Sequence, residues 1–257
     1  MPRNVRKKSQ SGIYHAITRG INRQQIFHSE EDCRRYLEIL ERIKDVSGCE
    51  IYGYCLMGNH VHLLVKENKE GIGQIMKRLG TSYAYWYNLK YERLGHVFQD
   101  RYKSECVEDE KYLLTVIRYI HNNPVKAGMV KKPEQYRWSS YSAYCGGIEY
   151  PTGLTQTHIV LELFSEDRER AVEQFRRFMQ QENDDICLDD EMLKRATDEE
   201  TRAGIQKLLK GREISTLKYM KKAERDSILK QAKDIEGSSI RQISRITGIG
   251  YNIIARA

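Results

Sequence analysis

Residues 49–68 read CEIYGYCLM-GN-HVHLLVKEN, two apolar, β-prone runs separated by Gly58 and Asn59. A two-residue turn of this chemistry joins adjacent antiparallel strands, so the segment commits the chain to an antiparallel sheet. The second run is unusual for a buried strand because it carries His60 and His62 around Val61. Strand side chains alternate, so the two imidazoles share one face and Val61 takes the other. Such a pair is either the start of a metal site or an accident of composition, and the spacing alone leaves both open.

The flanking segments supply the rest of a fold. GIYHAITRG (12–20) reads as a strand, and Ser29 opens SEEDCRRYLEILERIKDV, where Tyr36, Leu37, Leu40 and Ile43 form an apolar stripe at helical spacing. GIGQIMKRLGTSYAYWYNLKYERLG is a second helix, expected to end near Gly95. HVFQDRYKSECVE (96–108) reads as a fourth strand, and EDEKYLLTVIRYIHNN as a third helix closed by Pro124. The order β-α-β-β-α-β plus a helix predicts an α+β, ferredoxin-like antiparallel four-stranded sheet with helices on one face.

Composition shifts beyond YRWSSYSAYCGG. Residues 165–200 hold 13 acidic and 6 basic side chains, whereas 201–230 hold 9 basic and 3 acidic. This places a boundary near 150–165, with a catalytic domain over 1–155 and a small all-α region over 165–257. The last stretch, SSIRQISRITGIGYNIIARA, reads as a helix capped by Ser239 with Ile240, Ile243 and Ile246 apolar, a TGIG turn, and a second helix from Tyr251. That pattern fits either a helix-turn-helix or a plain helical hairpin.

The chain carries 43 Lys and Arg against 36 Asp and Glu, a net charge of +7, which favours polyanionic partners. Six scattered cysteines without a C-x-x-C pair point to reduced thiols and a cytoplasmic setting. There is no secretory h-region after the basic MPRNVRKKSQ and no apolar run of membrane-spanning length, so no membrane partner is expected.

Candidates for chemistry follow from the third helix. Tyr119 and Asn123 are four apart and share a face, while Leu113, Val116, Ile117 and Ile120 can pack on the other. An Asn123 amide oxygen with two imidazoles suits Mg²⁺ or Mn²⁺ completed by phosphate oxygens. A plain packed tyrosine remains the alternative for Tyr119 on periodicity alone.

GNHVHLLV, taken with FQDRYKS, RYIHNNPVKAGMV, YRWSSY and TRGINRQQIF, resembles the single-tyrosine HUH transposases, in the branch associated with repetitive extragenic palindromes. The resemblance covers roughly residues 10–145. It implies metal histidines at His60 and His62, a third metal ligand at Asn123 and a nucleophile at Tyr119. It further implies a Mg²⁺- or Mn²⁺-dependent endonuclease and strand transferase acting on single-stranded DNA with hairpin structure, through a 5′-phosphotyrosine link. A monomer or homodimer, cytoplasmic and nucleoid-associated, is expected. A replication-initiator or relaxase nickase and a DNA-binding regulator with an inactive domain are the alternatives. The first is weakened because no G-x-x-x-x-G-K-[ST] phosphate loop is present.

DNA-contact candidates are Arg19, Asn22, Arg23, Lys77, Arg78, Gln99, Arg101 and Lys103, with Arg241 and Arg245 in the C-terminal region for duplex DNA. Tyr83, Tyr85, Trp86, Tyr87 and Tyr91 are interleaved with the basic residues and suit either base stacking or a helix core. Arg3, Arg6, Lys7 and Lys8 form a basic N-terminal arm.

Overall fold

The computed structural model describes all residues except 1–6, 184, 186, 189–195, 210 and 236. Arg3 and Arg6 of the basic arm thus lie outside the described residues. The chain divides into two compact units, 1–188 and 189–257.

The first unit is built on four strands: β1 (Ile13–Arg19), β2 (Glu50–Met57), β3 (His60–Lys66) and β4 (Lys103–Cys106). They form one sheet in the order β2-β3-β1-β4 with antiparallel neighbours, the ferredoxin-like arrangement. Helix α1 (Glu30–Ser47) starts at a Ser29–Asp32 capping box and stops at Gly48, whose φ of 65° is the left-handed conformation that glycine adopts without strain.

Helices α1 and α2 (Ile72–Lys90) cover one face of the sheet. Their apolar stripes close a core on Tyr14, Ala16, Ile51, Leu56, Val61, Leu63 and Val65. Helix α3 (Glu110–Lys126) covers the opposite face, where Leu113, Val116, Ile117 and Ile120 meet Tyr52, Cys55, Met57 and Leu64. The approach is close: a Cβ at Gly53 would stand 3.0 Å from Ile117 Cδ1. His60 and His62 are on this second face, beneath α3.

Three element ends differ from the sequence expectation. Helix α2 ends at Lys90 rather than near Gly95, because Glu92 adopts φ 49° and the chain turns away. The fourth strand is confined to Lys103–Cys106. Upstream, only Phe98 bridges Gly20, and Gln99 to Arg101 are exposed, so no continuous ladder forms. Helix α3 runs through Pro124 to Lys126, so the proline, whose ring fixes a helical φ, lies in the last turn and does not close the helix before it.

The unit boundary also lies downstream of 150–165. Helices α4 (Tyr141–Tyr144), α5 (His158–Leu161) and α6 (Arg168–Gln180) place Tyr141, Tyr144, Val160, Leu161, Phe175 and Met179 in the α3 core. Their apolar faces belong to the first unit despite the acidic composition of the surrounding chain.

The second unit has its own core of Ile205, Leu209, Leu217, Leu229, Ile243 and Ile254. It comprises α7 (Asp198–Leu208), α8 (Lys222–Lys233), α9 (Ile240–Thr247) and α10 (Tyr251–Arg256). Ser239 Oγ accepts from the Gln242 N–H, and Gly248 ends α9 at φ 66°, so the expected helix–glycine turn–helix is formed. None of the six cysteines is in a disulfide, and among the described residues no helix is long and apolar enough to cross a membrane.

Candidate active site beneath helix α3

Register brings together residues far apart in sequence. Across β1–β3, His62 pairs with Ile17 and His60 with Arg19. Across β1–β4, His15 pairs with Glu105 and Ile17 with Lys103. Paired residues share a face, so His15, His60, His62, Lys103 and Glu105 all look toward α3.

A buried hydrogen-bond chain runs through them. Asn123 Nδ2 lies 3.0 Å from His62 Nε2, His62 Nδ1 lies 3.0 Å from His15 Nε2, and His15 Nδ1 lies 2.6 Å from Glu105 Oε1. His15 and His62 are fully buried. Glu105 also accepts from the Leu188 N–H at 3.2 Å and from the Tyr112 hydroxyl. Burial pushes its carboxyl up, but His15, Tyr112 and Leu188 together hold it below the usual carboxylate range. Burial holds His62 well below the ordinary imidazole value, with His60, His15 and Arg19 adding repulsion. His60 is pushed down to about 3 by burial and then by the Arg19 cation. Its Nδ1 lies 2.6 Å from Asn59 Oδ1 in the hairpin turn.

Tyr119 lies one turn before Asn123 on α3 and is almost wholly buried. Its ring centroid is 5.8 Å from that of His62 and 6.1 Å from that of His15, both edge-on. Lys126 Nζ stands 5.0 Å from the centre of the Tyr119 ring. The His60 and His62 rings are 4.9 Å apart.

The donor set fits a divalent cation chemically. Two neutral imidazoles and one amide are intermediate ligands, suited to Mn²⁺ or to Mg²⁺ with water and phosphate oxygens added. Among the described residues, no group of three His, Cys, Asp or Glu side chains is arranged to hold a metal, so any site here depends on the Asn123 amide.

The other DNA-contact candidates separate into groups. Arg19, Asn22, Arg23 and Gln99 gather at the His60 end of the sheet: Gln99 N–H donates to Arg19 O, and Asn59 Nδ2 to Arg23 O. Asn22 and Arg23 are exposed there at positive φ. Lys103 is on the histidine face, and Arg101 is exposed just before it. Lys77 and Arg78 ride on α2, across the sheet, and Arg78 is paired with Glu70 at 2.8 Å. In the second unit Arg241 is exposed, whereas Arg245 is paired with Asp198. The stacking role weighed for the α2 aromatics fails for Tyr83 and Tyr87, which are buried in the α1–α2 core, the first donating to Ile26 O. Tyr85 stays 73% exposed.

His15, Glu105 and Lys126 were missed in the sequence. His15 carried one usable signal, a histidine at an inward position of GIYHAITRG, but its partner depends on strand register.

Residues 8–123 match the family described as IS200-like transposases. Among solved structures, a REP-associated tyrosine transposase bound to a REP hairpin aligns at 18% identity with a TM-score of 0.48, covering 58% of this chain and 88% of that one. A protein of Deinococcus radiodurans R1 described as a transposase aligns at 22% identity with a TM-score of 0.33, covering 47% and 97%. No curated protein sequence matches the chain.

Proposed function

We propose that the protein is a divalent-metal-dependent single-stranded DNA endonuclease and strand transferase that works at or beside DNA hairpins. The observation that carries this reading is the placement of Tyr119 and Asn123, one helical turn apart, over the sheet face that holds His60 and His62. The hairpin preference rests on the motif resemblance of GNHVHLLV and RYIHNNPVKAGMV.

In this reading Tyr119 Oη attacks the scissile phosphorus in line. The Oη–P bond forms, the P–O3′ bond breaks, the phenolic proton passes to solvent, and the leaving oxygen takes up a proton as a 3′-OH. The link conserves the phosphodiester bond, so a second 3′-OH reverses the step and joins strands. A tyrosine titrates near pH 10 in water, so the developing phenolate needs electrostatic help, and the Lys126 ammonium is beside the ring. A cation held by His60, His62 and Asn123 would supply polarisation of the scissile phosphate. Arg19, Asn22, Arg23 and Gln99 form a polar rim at the His60 end of the site, suited to gripping the strand. In this reading the protein works at the nucleoid, where its DNA substrate is.

The test is incubation of the full chain with a 3′-labelled, hairpin-bearing single strand in Mg²⁺ or Mn²⁺, because the 5′-phosphotyrosine link retains the 3′ fragment. A protein–DNA adduct resistant to SDS is expected. A mobility shift with no cleavage and no adduct would instead identify a DNA-binding regulator.

A further inference from the structure

Resting on that reading of the site, we propose that Glu105 and His15 are positioning residues that set the tautomer of His62, keeping its proton on Nδ1 and its Nε2 lone pair turned toward the metal position. The argument is one of proton accounting along the chain. Glu105 is an acceptor only, and Leu188 N–H and the Tyr112 hydroxyl donate to it as well. The 2.6 Å contact therefore requires the proton of His15 on Nδ1. From the other end, Asn123 Nδ2 is a donor, so His62 Nε2 at 3.0 Å accepts with its lone pair and the proton of His62 is on Nδ1. His15 Nε2, 3.0 Å from that Nδ1, is then the acceptor, so His15 carries one proton. Each bond has one donor and one acceptor in the same direction, and the opposite direction fails at the carboxylate. Register makes the arrangement stiff, because His15 and Glu105 are direct partners across β1–β4 and His62 is diagonal to His15 across β1–β3.

An imidazole that binds a metal through one nitrogen is commonly oriented through the other, and removal of such a partner weakens metal affinity about 10- to 100-fold. Glu105→Gln would keep an oxygen where Leu188 N–H and His15 both donate, so the informative change is Glu105→Ala, which removes the acceptor and with it the hold on the His15 proton. The His62 proton is then no longer confined to Nδ1 and can occupy Nε2, where it blocks coordination.

The test uses the full chain with ¹⁵N-labelled histidine and no DNA. Imidazole NMR of the metal-free wild type should show His62 as the Nδ1–H tautomer. In Glu105→Ala it should shift toward Nε2–H, and Mn²⁺ affinity, read by electron paramagnetic resonance, should fall about 10- to 100-fold. Glu105→Asp, which keeps the carboxylate, should restore part of that loss. A wild-type His62 protonated on Nε2 overturns the proposal without any variant, as does a Glu105→Ala protein with unchanged tautomer and Mn²⁺ affinity. A wild type that has the expected tautomer but binds no Mn²⁺ overturns the metal-dependent reading of the site and leaves the tautomer assignment standing.

Discussion

His62 Nε2 and Asn123 Nδ2 face one another at 3.0 Å across the gap between β3 and α3. This contact ties the floor of the site, a sheet, to its roof, a helix that also carries Tyr119. His62 is fully buried and bonded at both ring nitrogens, whereas His60 is half-buried at the strand end beside the turn. The two histidines therefore differ structurally even where their chemical role is shared.

His62→Ala should abolish cleavage and also destabilise the fold, by about 2–4 kcal/mol, because it leaves a cavity and strips a partner from His15 and Asn123. His60→Ala should abolish cleavage at a smaller stability cost than His62→Ala, since His60 keeps partial exposure at the strand end. Urea denaturation of both variants beside the adduct assay checks the split. Equal and small stability losses would show that His62 is not held as described.

Tyr119→Phe removes one oxygen from a buried ring that contacts His15, His62 and Lys126. It should eliminate the covalent adduct, with cleavage reduced at least about 10³-fold, and leave affinity for the hairpin strand within about twofold. A Phe variant that still forms an adduct would move the nucleophile elsewhere; Tyr112, bonded to Glu105, is the nearest rival.

Much of this site is legible in the sequence because its elements are local. The hairpin at Gly58-Asn59 places His60 and His62 on one face, and a four-residue helical interval joins Tyr119 to Asn123. What is not legible depends on long-range register. Nothing near His15 announces Glu105, 90 residues away, and the register shift between Ile51 and Gly53 on β2 is likewise invisible to alternation. The division at 188 was hidden because charge reports the solvent face of α6, while its packing depends on Ala171, Phe175 and Met179.

Asp32 offers a stability prediction away from the site. Its carboxylate accepts from the His28 N–H at 2.6 Å, from Ser29 N–H at 3.0 Å, from Lys90 Nζ at 2.6 Å and from the Tyr91 hydroxyl at 2.7 Å. Burial opposes the charge, but Lys90, Tyr91 and the two backbone donors outweigh it and hold the group below its ordinary value. A depressed carboxyl contributes stability that is present above its unfolded value, about 3.9, and is lost as pH falls through the folded value. Asp32→Asn should cost about 1–3 kcal/mol at pH 7, from a weakened capping box and the loss of the Asp32–Lys90 pair, Lys90 keeping Glu31, and should flatten the acid limb of stability below about pH 4. Thermal melts of the two proteins between pH 3 and 7 decide it; parallel curves would mean Asp32 does not titrate with folding.

The last prediction concerns where the chain can be cut. A protein ending at residue 160 loses α6 and leaves the Tyr144–Phe175 stack, with centroids 4.8 Å apart, half missing from the α3 core. Since α3 carries Tyr119 and Asn123, that truncation should yield an aggregating or molten protein with no cleavage. A protein ending at 188 keeps α6 and the Leu188 contact to Glu105, and it should fold and cleave a hairpin-bearing single strand at close to the full-length rate. The deleted unit carries the excess of Lys and Arg over 201–230 and the exposed Arg241. If the α9–α10 pair grips duplex DNA, its loss should weaken duplex binding and reduce the slope of log K against log salt by about 0.9 for each phosphate contact removed. Arg241→Ala should reproduce one such increment in the full chain. Arg245→Ala should give less, because Asp198 already neutralises that side chain. Duplex affinity and salt slope that are identical in the full chain and the 1–188 protein would remove DNA from the task of this unit.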